Sequence, residues 1–463
     1  MAQQGLDKLP SPHSADDDEN AELFSAVLST LNRGQLPLVT MAILQRTHPA
    51  MKAQLPSVGE PMYGSYHMLF PLTFDIDLRW VAKIPINGTA DKWDELSASA
   101  LTSEAETMRL LKRETTIPLP DVLDFSPTPN NALGCPYIIM TFISGAPLYD
   151  VWFGHRLNSA SREAVRACRT RALDSIASAM VQLDKFSFST GGSLLFGSDG
   201  SPSGIGPMRQ LDHKAMLDRW FVHKDPDDDL IYVEFSPTSD PKAYYTSILD
   251  VHPEQNSVSK GVTLLLRQLI SWIPEPDEMD PFVLAHPDFD IQNFIVSENG
   301  DLRGIIDWDG VVAVPRTVGN KRYPGWLTRD WDPAMYGYQE SMEAEGAEPE
   351  GVWEDSPECL AHYRSVYNDK IEKHGAETKL GSNINLCRMS LITENLAIAA
   401  HNPRCRSGIL RKMLTEIWAA ADQDGPELTL PDLANMFVEH NVDIMVMETL
   451  QRGFDALLSK EGL

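Results

Sequence analysis

Two periodicities divide the chain, and the change falls near Gly145. From Leu55 to Gly145, apolar residues come in short runs punctuated by glycine and proline. Leu55 to Leu78 carries Gly59, Gly64 and the run Met68-Leu-Phe70, which predicts two strands joined by a glycine-bearing turn. Arg79-Trp-Val-Ala-Lys-Ile-Pro85 predicts a third strand, ended by Pro85 and the turn Asn87-Gly88. The spacing then becomes helical over Leu96 to Lys112, with Leu101, Ala105, Met108 and Leu111 on one face. Ile117-Pro-Leu-Pro120 stops that helix, and Val122 to Phe125 and Pro136 to Ile143 supply two further strands. The prediction is a small sheet with one helix inserted after its third strand.

From Leu148 the pattern is mainly helical. Ser161 to Phe186 places Val165, Cys168, Ala172, Ile176, Ala179 and Leu183 on one face. Gly191 to Met208, rich in Gly, Ser and Pro, reads as a surface loop, and Asp225 to Asp229 as an acidic turn. Ser257 to Trp272 is a further helix. Pro315 to Pro333 reads as an aromatic-rich loop, and Glu343 to Asp355 as an exposed acidic segment. Helices follow over Pro357 to His374, Ile384 to Ala400, Gly408 to Ala421 and Leu430 to Leu458, with Ser356 placed to cap the first. The class is α+β. Residues 1–35 form a tail and a short helix over Ala21 to Leu31, residues 36–145 the sheet-bearing unit and residues 146–463 the helical unit.

One stretch inside the helical half breaks the pattern. Leu284-Ala-His-Pro-Asp-Phe-Asp-Ile-Gln-Asn-Phe-Ile-Val296, then Gly304-Ile-Ile-Asp-Trp-Asp309, reads as strand, tight turn and strand. Such a hairpin places Asp288, Asn293 and Asp307 around one point. Transfer of the terminal phosphoryl group of ATP needs divalent cations, and hard cations take oxygen ligands. The Asn293 amide and the Asp307 carboxylate suit Mg2+, which leaves Asp288 to orient an attacking hydroxyl and accept its proton. The plainer reading makes all three turn and cap residues; the hairpin and the acid at its far end favour the chemical one.

Composition narrows the partners. Hydrophobic content of 43% and charged content of 23% are those of a globular protein. A formal charge of −27 over 463 residues argues against a nucleic-acid footprint and against docking on anionic membranes. Five scattered cysteines without C-x-x-C spacing point to reduced thiols. The polar opening residues with Asp16-Asp-Asp-Glu19, and the lack of a long apolar run, lead to a cytoplasmic expectation.

The nucleotide side is predicted from the sheet. Lys83 puts an ammonium on a rigid strand, where it can hold phosphates. Glu104 and Glu106 compete to pair with it; helical geometry turns them about 200° apart, and Glu104 falls closer to the apolar stripe. Gly64 and Ser65 open a turn whose backbone amides can approach phosphate oxygens. Met140, Thr141 and Ile143, in the connector between the halves, are placed to meet adenine.

These residues together resemble the aminoglycoside phosphotransferase and choline-kinase-like family, most of all its fungal branch. The matching segments are Gly64-Ser-Tyr, Trp80-Val-Ala-Lys-Ile-Pro85, Glu104-Ala-Glu-Thr-Met-Arg109, Ile117-Pro-Leu-Pro120, Tyr137-Ile-Ile-Met140 and Gly192-Ser-Leu194. His286-Pro-Asp-Phe-Asp-Ile-Gln-Asn293 and Ile305-Ile-Asp-Trp-Asp309 complete the set. The resemblance implies a protein-kinase-like bilobal fold, with a small antiparallel-sheet N-lobe carrying one helix and a larger, mainly helical C-lobe. It implies an ATP- and Mg2+-dependent phosphotransferase acting on a hydroxyl of a small molecule. Asp288 is then the catalytic base, Asn293 and Asp307 hold magnesium, Lys83 with Glu104 positions the phosphates, His286 braces the loop, and Asp290 and Asp309 either support the groups that touch the ligand or are structural. Pro287 and Asp290 depart from the antibiotic-modifying pattern and argue against an aminoglycoside acceptor. The alternatives are a catalytically silent kinase-like binding module and, less favoured for want of Asp-Phe-Gly and Ala-Pro-Glu segments, a protein kinase.

Overall fold

The computed structural model describes residues 21–459 except 159, 226–228, 255, 276–278, 345, 350, 378–384 and 422–427. The acidic tail over residues 1–20 and most of the expected acidic turn at Asp225 to Asp229 lie outside the described residues. The chain divides into two compact units. The first takes the residues up to Val151 together with Leu194–Gly204 and Gln292–Val311; the second takes the rest. The architecture is the expected α+β one.

In the first unit, strands β1 (Ser57–Val58), β2 (Met62–Tyr63), β3 (His67–Thr73), β4 (Arg79–Pro85), β5 (Val122–Ser126) and β6 (Tyr137–Thr141) form one sheet. Its order is β1-β3-β4-β6-β5, with β2 also on β3 and every pairing antiparallel. Alternation along the strands decides what each face does. Met68, Phe70 and Leu72 of β3, with Trp80, Ala82 and Ile84 of β4, enter a buried cluster. Helices α1 (Ser25–Thr30) and α2 (Leu36–Thr47) close that cluster through Val27, Leu36, Ile43 and Leu44. The odd-numbered residues, among them His67, Leu69 and Lys83, therefore share the opposite face, where Leu69 stands directly across from Lys83.

That opposite face meets α3 (Glu95–Glu114). Asp94 caps the helix by accepting from the Ser97 amide at 2.7 Å. Its buried stripe is Leu101, Glu104, Ala105, Met108 and Leu111, the spacing of one helical face with an acid set into it. The helix α2 went unread in the sequence because Leu36-Pro-Leu-Val-Thr-Met-Ala-Ile-Leu44 is apolar nearly all round and shows no clean period.

The predicted hairpin exists. Phe294–Val296 pairs antiparallel with Leu302–Ile305, in register Phe294 to Ile305. Expected within the C-terminal part of the chain, it groups instead with the sheet unit. Three contacts tie it there. The short strand Ala146–Pro147 pairs with Phe294–Val296, and the Ile305 amide donates to the Pro118 carbonyl at 2.8 Å. Gly304 lies against Ile143, where an added Cβ would stand 2.7 Å from Ile143 Cγ2, so only glycine permits the approach.

The second unit is built on helices α4 (Arg162–Met180), α5 (Pro241–Val251), α6 (Ser257–Ser271), α7 (Pro357–Glu377), α8 (Leu386–His401), α9 (Pro403–Ala420), α10 (Leu430–Val438) and α11 (Ile444–Ser459). The strand Phe282–Ala285, buried along its length, pairs with Val312–Pro315 and Ser187–Phe188. Three loop expectations are corrected. The span Gly191 to Met208 holds strands Gly192–Phe196 and Pro202–Gly206. Gly197, Ser198, Gly200 and Ser201 occupy the intervening turn, and the glycine- and serine-rich composition hid the short apolar run Leu194-Leu-Phe196. Pro315 to Pro333 is wound into 3-10 turns with Trp326 and Trp331 buried. The end of the acidic segment is buried too, because Glu354 and Asp355 are each paired with an arginine.

Candidate active site

The first unit brings three of the predicted residues together. Lys83 Nζ donates to Glu104 Oε1 at 2.7 Å and to Asp307 Oδ1 at 3.0 Å. Glu104 is the lysine's partner; Glu106 faces elsewhere and accepts from Arg109 Nη1 at 3.0 Å. Lys83 and Glu104 are 5% and 3% exposed, whereas the Asp307 side chain is 47% exposed, so the cluster opens at its hairpin end. Asp307 holds φ of 59°, the left-handed region that a non-glycine residue occupies at a cost. Asn293 sits at the root of the same hairpin, buried, and its carbonyl accepts from the Ile306 amide at 2.9 Å.

Sequence reasoning missed His67 in this cluster and gave Asp309 only a supporting or structural part. His67 Nε2 stands 3.9 Å from Asp309 Oδ2. The available signals were the alternation of β3, which puts His67 on the Lys83 face, and the spacing of Asp309 from Asp307 by one residue. Their electrostatics follow from one imbalance: a single ammonium faces Glu104, Asp307 and Asp309. Burial works against the Lys83 cation, yet these three acids outweigh it and hold the ammonium protonated, above its ordinary value. Burial pushes the Glu104 carboxyl up, Asp309 and Asp307 push the same way, and Lys83 opposes. Burial, with Lys83 beside it, lowers His67 to about 4. Among the described residues no group of three or more His, Cys, Asp and Glu side chains is arranged to hold a metal ion unaided. The Asp307 and Asp309 carboxylates and the buried Asn293 amide do fit a hard divalent cation that takes its remaining ligands from phosphate and water.

The remaining predicted positions are distributed around this core. Gly64 and Ser65 form the exposed turn from β2 to β3, closed by the Gly64 amide donating to the His67 carbonyl at 2.9 Å. In the connector, the Thr141 amide donates to the Asp121 carbonyl at 3.0 Å and the Phe142 amide to the Arg79 carbonyl at 3.1 Å, so both donors are engaged within the sheet unit. Met140 is buried, and Ile143 packs on Gly304.

Asp288 belongs to the second unit, on the loop after Phe282–Ala285. It is exposed between buried His286 and Phe289, and its carbonyl accepts from the Asp290 amide at 2.9 Å. Asp290 pairs with Arg329 at 3.0 Å and is structural. Asp330, in the aromatic-rich segment, is held by both terminal nitrogens of Arg364, at 2.7 and 3.1 Å.

No protein-family model matches the chain. Relatives appear among fungal proteins called altered inheritance of mitochondria protein 9, mitochondrial. That of Candida albicans strain WO-1 is 29% identical over 173 residues, 37% of this chain and 27% of the relative. That of Kluyveromyces lactis is 20% identical over 352 residues, 66% of this chain and 56% of the relative. The chain thus spans from about a quarter to about half the length of these relatives. Their names overturn the cytoplasmic expectation, which rested on the absence of a leader, and an absence carries no address. Solved structures that resemble the chain include a macrolide 2'-phosphotransferase type I, 12% identical with TM-score 0.38, covering 80% of this chain and 92% of that one. A Plasmodium vivax ethanolamine kinase is 9% identical with TM-score 0.39, covering 96% and 98%. An amicoumacin kinase, solved with AMP-PNP, Ca2+ and Ami, is 10% identical with TM-score 0.41, covering 90% and 96%. These are members of the phosphotransferase and kinase group that the motifs resemble.

Proposed function

We propose that this chain is an ATP-dependent phosphotransferase that phosphorylates a hydroxyl of a small molecule. The observation that carries the reading is the placement of Lys83 Nζ between Glu104 and Asp307, at 2.7 and 3.0 Å. A lysine locked by a buried acid is fixed in direction, so its ammonium can hold phosphate oxygens without reorganising. Asn293 and Asp307 would hold Mg2+, which when bound neutralises charge on the transferred group. Asp288, exposed and supported by its neighbours' backbone, orients the acceptor hydroxyl and takes its proton. The Gly64–Ser65 turn covers the phosphates, and Met140, Thr141 and Ile143 stand at the adenine. Since the Thr141 and Phe142 amides are already engaged, apolar contact carries more of the adenine recognition than hydrogen bonding does.

The test is a screen of hydroxylated metabolites with purified protein and Mg-ATP, reading ADP release, with Asp288→Asn run in parallel. Acceptor-dependent release that falls about a thousandfold or more in the variant, at an unchanged melting temperature, is expected, since each ~1.4 kcal/mol of barrier is tenfold. Turnover by Asp288→Asn at the native rate would remove Asp288 from the mechanism. Absence of any Mg-ATP-induced thermal stabilisation in the native chain would leave the silent binding module as the better reading.

A further inference from the structure

Helix α8 is buried nearly all round, yet it carries Ser390, Thr393 and Glu394, spaced to share one face. Polar side chains in such a place are costly unless each is paired. All three reach the same segment, residues 317–323. Ser390 Oγ accepts from the Tyr323 amide at 2.9 Å, Thr393 Oγ1 donates to the Thr317 carbonyl, and Glu394 Oε1 lies 3.5 Å from Arg322 Nη1. Arg322 then turns toward the loop that bears Asp288. Its Nη2 donates to the His286 carbonyl at 2.9 Å and to the Pro287 carbonyl at 3.2 Å, and its guanidinium stands 5.8 Å from the centre of the Phe289 ring. On the far side, the Gly325 amide donates to the Phe289 carbonyl at 2.8 Å.

We infer that Arg322, braced by Glu394 of α8, is a positioning residue that clamps the backbone just before Asp288 and lies against the Phe289 ring just after it. The inference rests on the reading of Asp288 as the base and deepens it. A base on an exposed loop can hold a hydroxyl in line only if its backbone is fixed, and two consecutive carbonyls gripped by one planar guanidinium fix both position and orientation. Lysine at 322 would keep the charge but offer one ammonium where the guanidinium offers a rigid fork. Glutamine at 394 would keep the shape and lose the countercharge.

The test compares Arg322→Lys and Glu394→Gln with Arg316→Lys, a control in another buried arginine. Arg316 donates to the Asp280 carbonyl at 2.8 Å and pairs with Asp184 at 3.5 Å. Two readouts are taken: ADP release with Mg-ATP and an acceptor, and amide hydrogen exchange across residues 286–292. In Arg322→Lys, release is expected to fall roughly ten- to a hundredfold with ATP affinity unchanged. Exchange across 286–292 should rise about tenfold while the rest of the unit is unaffected. Glu394→Gln should move both readouts the same way by less. Arg316→Lys should lower the melting temperature without a local rise in exchange. Equal local exchange in all three variants and the native chain, or a rise in the control matching that of Arg322→Lys, would overturn the clamp. Exchange needs no turnover, so a native chain that releases no ADP would sink the kinase reading and leave the clamp to be judged separately.

Discussion

Two sets of charge in this molecule differ in what they leave over. In the second unit three arginines meet carboxylates that the fold has brought to them. Arg364 grips Asp330 with both terminal nitrogens, Arg329 spans Asp290 and Glu354, and Arg169 meets Asp355, whose other oxygen accepts from Trp152 Nε1 at 2.6 Å. In the first unit one ammonium faces Glu104, Asp307 and Asp309. Matched pairs are what a fold keeps, because burying a charge is tolerable only when its partner and geometry are in place. An excess of carboxylate over ammonium is self-repelling, and a bound cation would relieve it. On the proposed reading, the acid-rich cluster is where a ligand would act, and the paired arginines are where the chain holds itself.

The strongest test of that contrast lies on the matched side. Arg364→Ala should cost about 3–5 kcal/mol, because it strands Asp330 in a buried site and also removes a donor from the Leu327 carbonyl. Since native stability is commonly only about 5–15 kcal/mol, the expected outcome is a large drop in the denaturation midpoint. A midpoint unchanged in Arg364→Ala would mean that these pairs do not hold the unit. The surplus side should respond the opposite way. Asp307→Asn removes one of the crowded acids, and asparagine tolerates the left-handed backbone found there. Its melting temperature should stay level or rise, while turnover falls by about a thousandfold, or ~4 kcal/mol of barrier. Loss of stability without loss of turnover would reverse the assignment of the cluster.

A third test reads charge through pH. His401 on α8 is lowered to about 4, by burial first, with the Ala397 carbonyl bonded to its Nδ1 at 2.7 Å acting in the other direction. The ring is neutral when folded and takes a proton more readily when unfolded, near its ordinary 6.5. The unfolded chain thus binds more protons between about pH 6.5 and 4, so this group's contribution is present above pH 6.5 and is lost as the pH falls toward 4. The loss is at most roughly 3 kcal/mol, and His401→Asn should flatten that part of the stability profile. A profile of the same steepness in the variant would assign the acid sensitivity to other groups.

Much of the surplus side was legible in the chain. Lys83 and Glu104 could be paired in advance because alternation on β4 and the stripe on α3 each leave one answer. Asp307 followed from the hairpin rhythm. The matched side was not legible. Glu354 and Asp355 looked like solvated acids because their arginines, Arg329 and Arg169, stand 25 and 186 residues away in sequence. Periodicity reports which face is apolar; it cannot report which distant cation comes to meet a buried acid. Helix α2 was lost for the converse reason, an apolar run with no polar side to give it a phase.

The smallest effect tests whether the two kinds of charge are separable within one helix. Asp94 caps α3 and Glu104 lies well along it, so the cap holds the first turn while the acid holds the lysine. Asp94→Ala should cost about 1 kcal/mol of stability by freeing the Ser97 amide. The helix beyond its first turn is pinned by Leu101, Ala105 and Met108, so Glu104 should not shift, and turnover and ATP affinity should match those of the native chain. A fall in turnover larger than the fall in folded fraction would mean that the cap's charge reaches the lysine. The first unit's electrostatics would then have to be treated as one system rather than as a helix with a site on its inner face.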